Sequence, residues 1–73
     1  MTIRTASGQE LETDFVVENP TPPRLYIDLK GLTEKQATTA MQDGLPIEGY
    51  PEYTVLQNLY PVDGGIRVVL RKE

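Results

Sequence analysis

Few side chains in this 73-residue sequence are of the kinds that make or break bonds at neutral pH. Histidine and cysteine are both absent, which removes the usual general base, the usual activator of a nucleophilic serine, thiolate metal ligands and disulfides. Ser7 is the sole serine, and it stands in a Ser-Gly turn with nothing to activate it. Carboxylates are more plentiful: Glu10, Glu12, Asp14 and Glu18 recur at even-numbered positions of one run. On a strand, alternate residues lie about 6.8 Å apart, too spread to converge on one metal ion. Such a row can imitate a phosphate backbone and occupy a basic groove on a partner, or it can be a solvated strand face guarding a sheet edge.

The other candidates are aromatic. Tyr50, Tyr53 and Tyr60 fall between Gly49 and Pro61, and with Ile47 they could form a protein-recognition surface; otherwise they roof a small core. Base stacking on these rings is disfavoured by Glu48 and Glu52. No phosphate-binding or dinucleotide fingerprint occurs, and Asp63-Gly64-Gly65 is turn chemistry. The expectation is a non-enzyme with no catalytic residues, no metal and no cofactor. The candidate binding residues are Ile47, Tyr50, Tyr53 and Tyr60, with the acidic face Glu10, Glu12 and Asp14 as the alternative.

The formal net charge of -4 disfavours direct binding to nucleic acid. Acid gathers early, in Glu10, Glu12, Asp14 and Glu18, and base gathers late, in Arg67, Arg71 and Lys72, so the two runs would attract one another if their strands were adjacent. Met1-Thr2-Ile3-Arg4 passes directly into alternating residues, and no apolar run approaches the length of about 18 that a membrane helix needs. A soluble cytoplasmic protein without membrane contact is expected.

Residues 1–73 are expected to form a single small domain with a radius of gyration of about 11 Å. Thr2 to Ala6 is a first strand, and Ser7-Gly8-Gln9 a turn. Glu10 to Glu18 alternates, with Leu11, Thr13, Phe15 and Val17 on one face and Glu10, Glu12, Asp14, Val16 and Glu18 on the other. Asn19-Pro20-Thr21-Pro22-Pro23 should stop that strand with a stiff connector. Arg24 to Lys30 turns Leu25, Ile27 and Leu29 inward. Thr33 and Gln36 make a capping-box pattern that starts a helix with the buried stripe Ala37, Ala40 and Met41, and Gly44 is expected as its left-handed C-cap. Leu45 to Glu52 reads as a packed loop. Tyr53 to Tyr60 is a strand that needs a bulge near Gln57 and Asn58, because Leu56 and Leu59 are three apart. After a loop at 61–65, Ile66, Val68 and Leu70 face inward on the last strand. The fold class is α+β, in the order β-β-β-α-β-β, a single mainly antiparallel sheet with one helix packed on one face.

A β-rich chain with one helix is similar in outline to the β-grasp, ubiquitin-like fold. The ending Val69-Leu70-Arg71-Lys72-Glu73 lacks the terminal Gly-Gly of that fold's conjugating members. Three other stretches carry a second likeness: Ile3-Arg4-Thr5-Ala6-Ser7-Gly8-Gln9-Glu10-Leu11, Glu52-Tyr53-Thr54-Val55-Leu56 and Gly64-Gly65-Ile66-Arg67-Val68-Val69-Leu70. Through them the chain resembles small uncharacterised proteins of bacteriophage and prophage tail-gene regions. That resemblance implies an origin and carries over no functional residues. Two functional expectations follow. One is a small protein-interaction or assembly module with a protein partner; the other is an acidic inhibitor that mimics nucleic acid and blocks a host defence protein. Oligomeric state is left open.

Overall fold

Alternating apolar residues in two runs force the centre of the sheet together. Leu25, Ile27 and Leu29 lie directly opposite Leu70, Val68 and Ile66, and all six are buried. Burying a side chain of this size contributes about 1.5–3 kcal/mol, so these cross-strand pairs fix the register. In the computed structural model, which describes residues Met1–Glu73, the elements are β1 (Thr2–Arg4), β2 (Glu10–Pro20), β3 (Pro23–Lys30), α1 (Glu34–Gly44), β4 (Val55–Val62) and β5 (Gly65–Arg71). They form one five-stranded sheet in the order β1-β2-β3-β5-β4, antiparallel throughout, with a radius of gyration of 10.8 Å. The α+β architecture with a single helix on one face is as expected. Strand β3 separates the acidic β2 from the basic β5, so the pairing anticipated between those two runs does not form.

Helix α1 begins as its sequence dictates. The Thr33 hydroxyl accepts from the Gln36 backbone N–H at 3.2 Å, and the Thr33 N–H donates to Gln36 Oε1 at 2.9 Å. Ala37, Ala40 and Met41 are buried against the sheet, where α1 lies over β4 and β5. The helix end differs from expectation. Gly44 is the last helical residue, with no positive φ, and the C-cap is Leu45 in extended geometry at φ -69 and ψ 148. Glycine is needed there for closeness: a Cβ on Gly44 would lie 2.7 Å from Thr5 Cβ. The Gly44 carbonyl accepts from the Ala6 N–H at 2.7 Å, which docks the helix end on the β1–β2 connection.

Strand β2 carries the largest correction. Its register with β3 shifts between Thr13 and Phe15, so Asp14 is a bulge and the two faces exchange. Leu11 and Thr13 point to the core, whereas Phe15 and Val17 pair with Asp28 and Tyr26 and point to the opposite face. The three prolines do not end the strand as a connector either. Pro20 pairs with Pro23 across a two-residue turn with a cis Thr21-Pro22 bond, a type VI geometry that needs no N–H from the turn prolines. The expected bulge in β4 is present, between Leu56 and Asn58, but the strand runs from Val55 to Val62 and absorbs Pro61 and Val62 from the anticipated loop.

The segment 45–54 crosses the end of the core as a packed loop. Ile47 bridges to Thr5, and the Glu48 N–H donates to the Arg4 carbonyl at 2.8 Å. Helix and loop together form the covering layer. Exchanging Gly44 for Ala should lower stability by about 1–3 kcal/mol although alanine is the better helix former, because Thr5 cannot retreat from a backbone-anchored Cβ. Urea denaturation of Gly44→Ala, with Thr5→Gly expected to restore part of the loss in the double variant, checks this.

Candidate functional site

The bulge at Asp14 and the antiparallel registers together build a surface on the side of the sheet away from α1. Three rows cross β2, β3, β5 and β4. The first is Phe15, Asp28, Arg67 and Tyr60; the second is Val17, Tyr26, Val69 and Asn58; the third is Asn19, Arg24, Arg71 and Val55. Neither the helix nor the loop lies over them. Val17 is 49% exposed, one of only two large hydrophobic residues to stand so far out of the protein.

The first row is held rigid by charge. Arg67 grips Asp28 with both arms of its guanidinium, Nε to Oδ1 at 2.8 Å and Nη2 to Oδ2 at 3.0 Å. The same guanidinium lies 5.4 Å from the centre of the Phe15 ring. The Asp28 hydrogen bond, followed by the Tyr60 hydroxyl, raises the Arg67 pKa, so this cation is permanent. Asp28 is only 8% exposed, and a carboxylate so placed depends on its bidentate partner. The second row is the apolar centre. In the third row Arg24 and Arg71 stand directly opposite each other.

The acidic residues singled out from sequence each have a partner within the protein. Glu10 meets Arg4 at 2.8 Å, and Asp14 meets Lys30 at 2.8 Å. Glu12 accepts from the Thr2 hydroxyl at 3.2 Å and lies 3.4 Å from the Met1 nitrogen. These contacts, the Thr2 hydrogen bond first, hold the Glu12 carboxyl below its ordinary pKa. Asp14, through its hydrogen bond and then its charge, raises that of Lys30. Glu18 leaves the row altogether. The bulge turns it to the covered face, where its Oε2 accepts from the Tyr53 hydroxyl at 2.7 Å.

Of the aromatic set, Ile47, Tyr50 and Tyr53 are brought together, through the Ile47–Tyr50 bridge and the Tyr53 N–H donating to the Tyr50 carbonyl at 3.3 Å, but they pack inward and Tyr60 stands apart. Ile47 is 1% exposed and Tyr53 2%, both within the core; Tyr50 packs against that core from the loop; Tyr60 belongs to the open face. Phe15, Val17 and Tyr26 form the apolar surface in their place, with Val69, 6% exposed, packed between its neighbours at the centre of that face. A signal for them exists in the sequence: Phe15-Val16-Val17 and Val68-Val69-Leu70 are runs of adjacent apolar residues, which a strand buried on one face cannot hide. No group of three or more acidic side chains converges to hold a cation, and no helix is long and apolar enough to cross a membrane.

The hydrogen bond to Glu18, and then burial, push the Tyr53 hydroxyl up to about 12. The unfolded chain loses this proton near pH 10 and the folded protein only near 12, so the stability the contact supplies is complete below pH 10 and disappears as pH rises through 12. Tyr53→Phe should therefore lower the urea denaturation midpoint at neutral pH and remove its alkaline step. Arg67→Met should cost about 1.5–3 kcal/mol by stranding the Asp28 carboxylate, and the double variant Asp28→Leu, Arg67→Met should recover much of that in a denaturation cycle. Compared with family models, with curated proteins and with solved structures, the chain has no significant match, so the open face rests on its own geometry.

Proposed function

We propose that the protein is a small, non-enzymatic protein-binding module whose contact surface is the open face of its sheet. The observation that carries this reading is the pair Val17 and Tyr26 on a face that neither helix nor loop covers, with Val17 49% exposed and Val69, 6% exposed, filling the row beneath them. Aliphatic and aromatic side chains flanked by arginines are the composition of interface centres rather than of idle surface. Sequence composition agrees, since histidine, cysteine and an activated serine are all lacking. The biological setting we infer is assembly of a bacteriophage or prophage structure in the cytoplasm, on the likeness of the stretches 3–11, 52–56 and 64–70 to proteins of tail-gene regions. The alternative role as an acidic nucleic-acid mimic draws less support, because Glu10, Glu12 and Asp14 already face internal cations.

A photo-crosslinking residue placed at Val17, in cells that make the protein, should capture a discrete partner, and one at the helix position Thr39 should not. The Val17 adduct should disappear when Tyr26→Asp is added in a variant that keeps its native circular dichroism. Equal capture from the two faces, or none from Val17, would remove the proposal.

A further inference from the structure

We propose that the open face receives an acidic segment of the partner protein, its carboxylates seated on Arg24 and Arg71 and a neighbouring apolar side chain on Val17 and Tyr26. This rests on the protein-binding reading above and names the chemistry of the partner.

Most of the cations in the chain are spoken for. Arg4 is paired with Glu10, Lys30 with Asp14, Arg67 with Asp28 and Lys72 with Glu52. Arg24, Arg71 and Lys35 form no ion pair; Lys35 lies on α1, and the two arginines share the open face. Each guanidinium makes a single hydrogen bond to a neighbouring carbonyl, Arg24 Nη1 to Pro23 at 2.7 Å and Arg71 Nη1 to Lys72 at 3.2 Å, which leaves the remaining donors free. The two residues are also directly opposite in the β3–β5 ladder. Like charges at that separation oppose sheet pairing, and a chain with 11 acidic residues and a net charge of -4 does not lack the means to neutralise them. The uncompensated pair weakens the free protein and becomes favourable once an anion lies between the guanidinium forks, whose planar geometry matches a carboxylate.

The neighbourhood selects among anions. One row away, about 6.8 Å along the strands, lie Tyr26 and Val69, with Val17 beside them. A free oxyanion would leave that apolar row wet, whereas an acidic peptide bearing a leucine or phenylalanine near its carboxylates covers both. A nucleic acid meets Glu10, Glu12 and Asp14 further along the same sheet and is repelled at longer range by the net charge of -4. A second copy, whose acidic β2 end could meet these arginines, is the competing occupant, and self-association of the protein is the outcome that marks it.

The test follows the arginine Nε–Hε and valine methyl NMR signals of the intact protein during titration. The probes are short synthetic peptides rich in Glu and Asp around a Leu or Phe, the same peptides with Gln and Asn, inorganic phosphate, and a single-stranded oligonucleotide. Saturable shifts at Arg24, Arg71, Val17 and Val69 are expected from the acidic peptides, with affinity at least about tenfold weaker for the amide versions and falling as salt rises. Arg24→Gln and Arg71→Gln should each weaken binding by about tenfold while raising the urea midpoint of the free protein, since each removes a repulsion. A merely structural arginine would lower that midpoint. The proposal is overturned if no acidic peptide saturates, if the amide peptides bind equally, if phosphate or the oligonucleotide produces the shifts instead, if the peptide titration drives self-association, or if the Gln variants lose stability. Retained capture through Val17 together with unchanged capture in the Gln variants would leave the protein-binding reading standing and dispose of this one.

Discussion

One helix cannot cover five strands. An α-helix with its side chains is about 10 Å across, whereas five strands spaced about 4.8 Å apart span about 19 Å. Here α1 covers the β4–β5 side, and the rest of that face would be wet unless another part of the chain crossed it. The loop between α1 and β4 does so, inserting Ile47 and Tyr53 into the core and tying itself to Thr5 and Arg4 through backbone contacts. The requirement to finish one hydrophobic layer therefore decides the fate of the most aromatic stretch of the sequence. Helix and loop both lie on that one face, and the second is left uncovered by them.

That second face is made, and not merely left over, by the bulge at Asp14. Without it Phe15 and Val17 would point with Leu11 and Thr13 toward the covered face, and Val16 and Glu18 away from it. With it Phe15 reaches the Arg67 guanidinium, Val17 enters the apolar row, and Glu18 turns toward the Tyr53 hydroxyl. The bulged residue is itself paired with Lys30 at 2.8 Å, an exposed ion pair of small energetic weight; the exchange turns Val16 against the core and leaves Val17 49% exposed.

Charge on the two sides of the sheet follows a division of labour. Where a carboxylate is nearly buried, as at Asp28, it is gripped by a bidentate arginine that also stacks beside an aromatic ring. The acidic row at Glu10, Glu12 and Asp14 lies on β2 and is matched to cations on either side, the Met1 nitrogen and Arg4 at β1 and Lys30 on β3. Only the far end of β3 and β5 departs from this pattern, with two arginines opposed and unmatched.

The sequence by itself determined the elements whose signals are local. The Thr33–Gln36 box sets the start of α1, the Ala37, Ala40 and Met41 stripe sets its buried side, and alternation in β3 and β5 sets their inward residues. The spacing of Leu56 and Leu59 announces the β4 bulge, because a two-residue period forbids both from facing one side of a regular strand. Tertiary structure decided the rest, since each remaining outcome depends on what lies opposite. Gly44 is glycine on account of Thr5, distant in sequence, and not of its own φ. Phe15 and Val17 change faces because the ladder with β3 slips by one residue, and a period-two pattern reads correctly on either side of such a slip but not across it. Tyrosines 53 and 60 have the same amphipathic chemistry, yet one became core and the other surface. Their separation follows from the width of the sheet against the width of one helix, a mismatch that exists only once the strands are side by side.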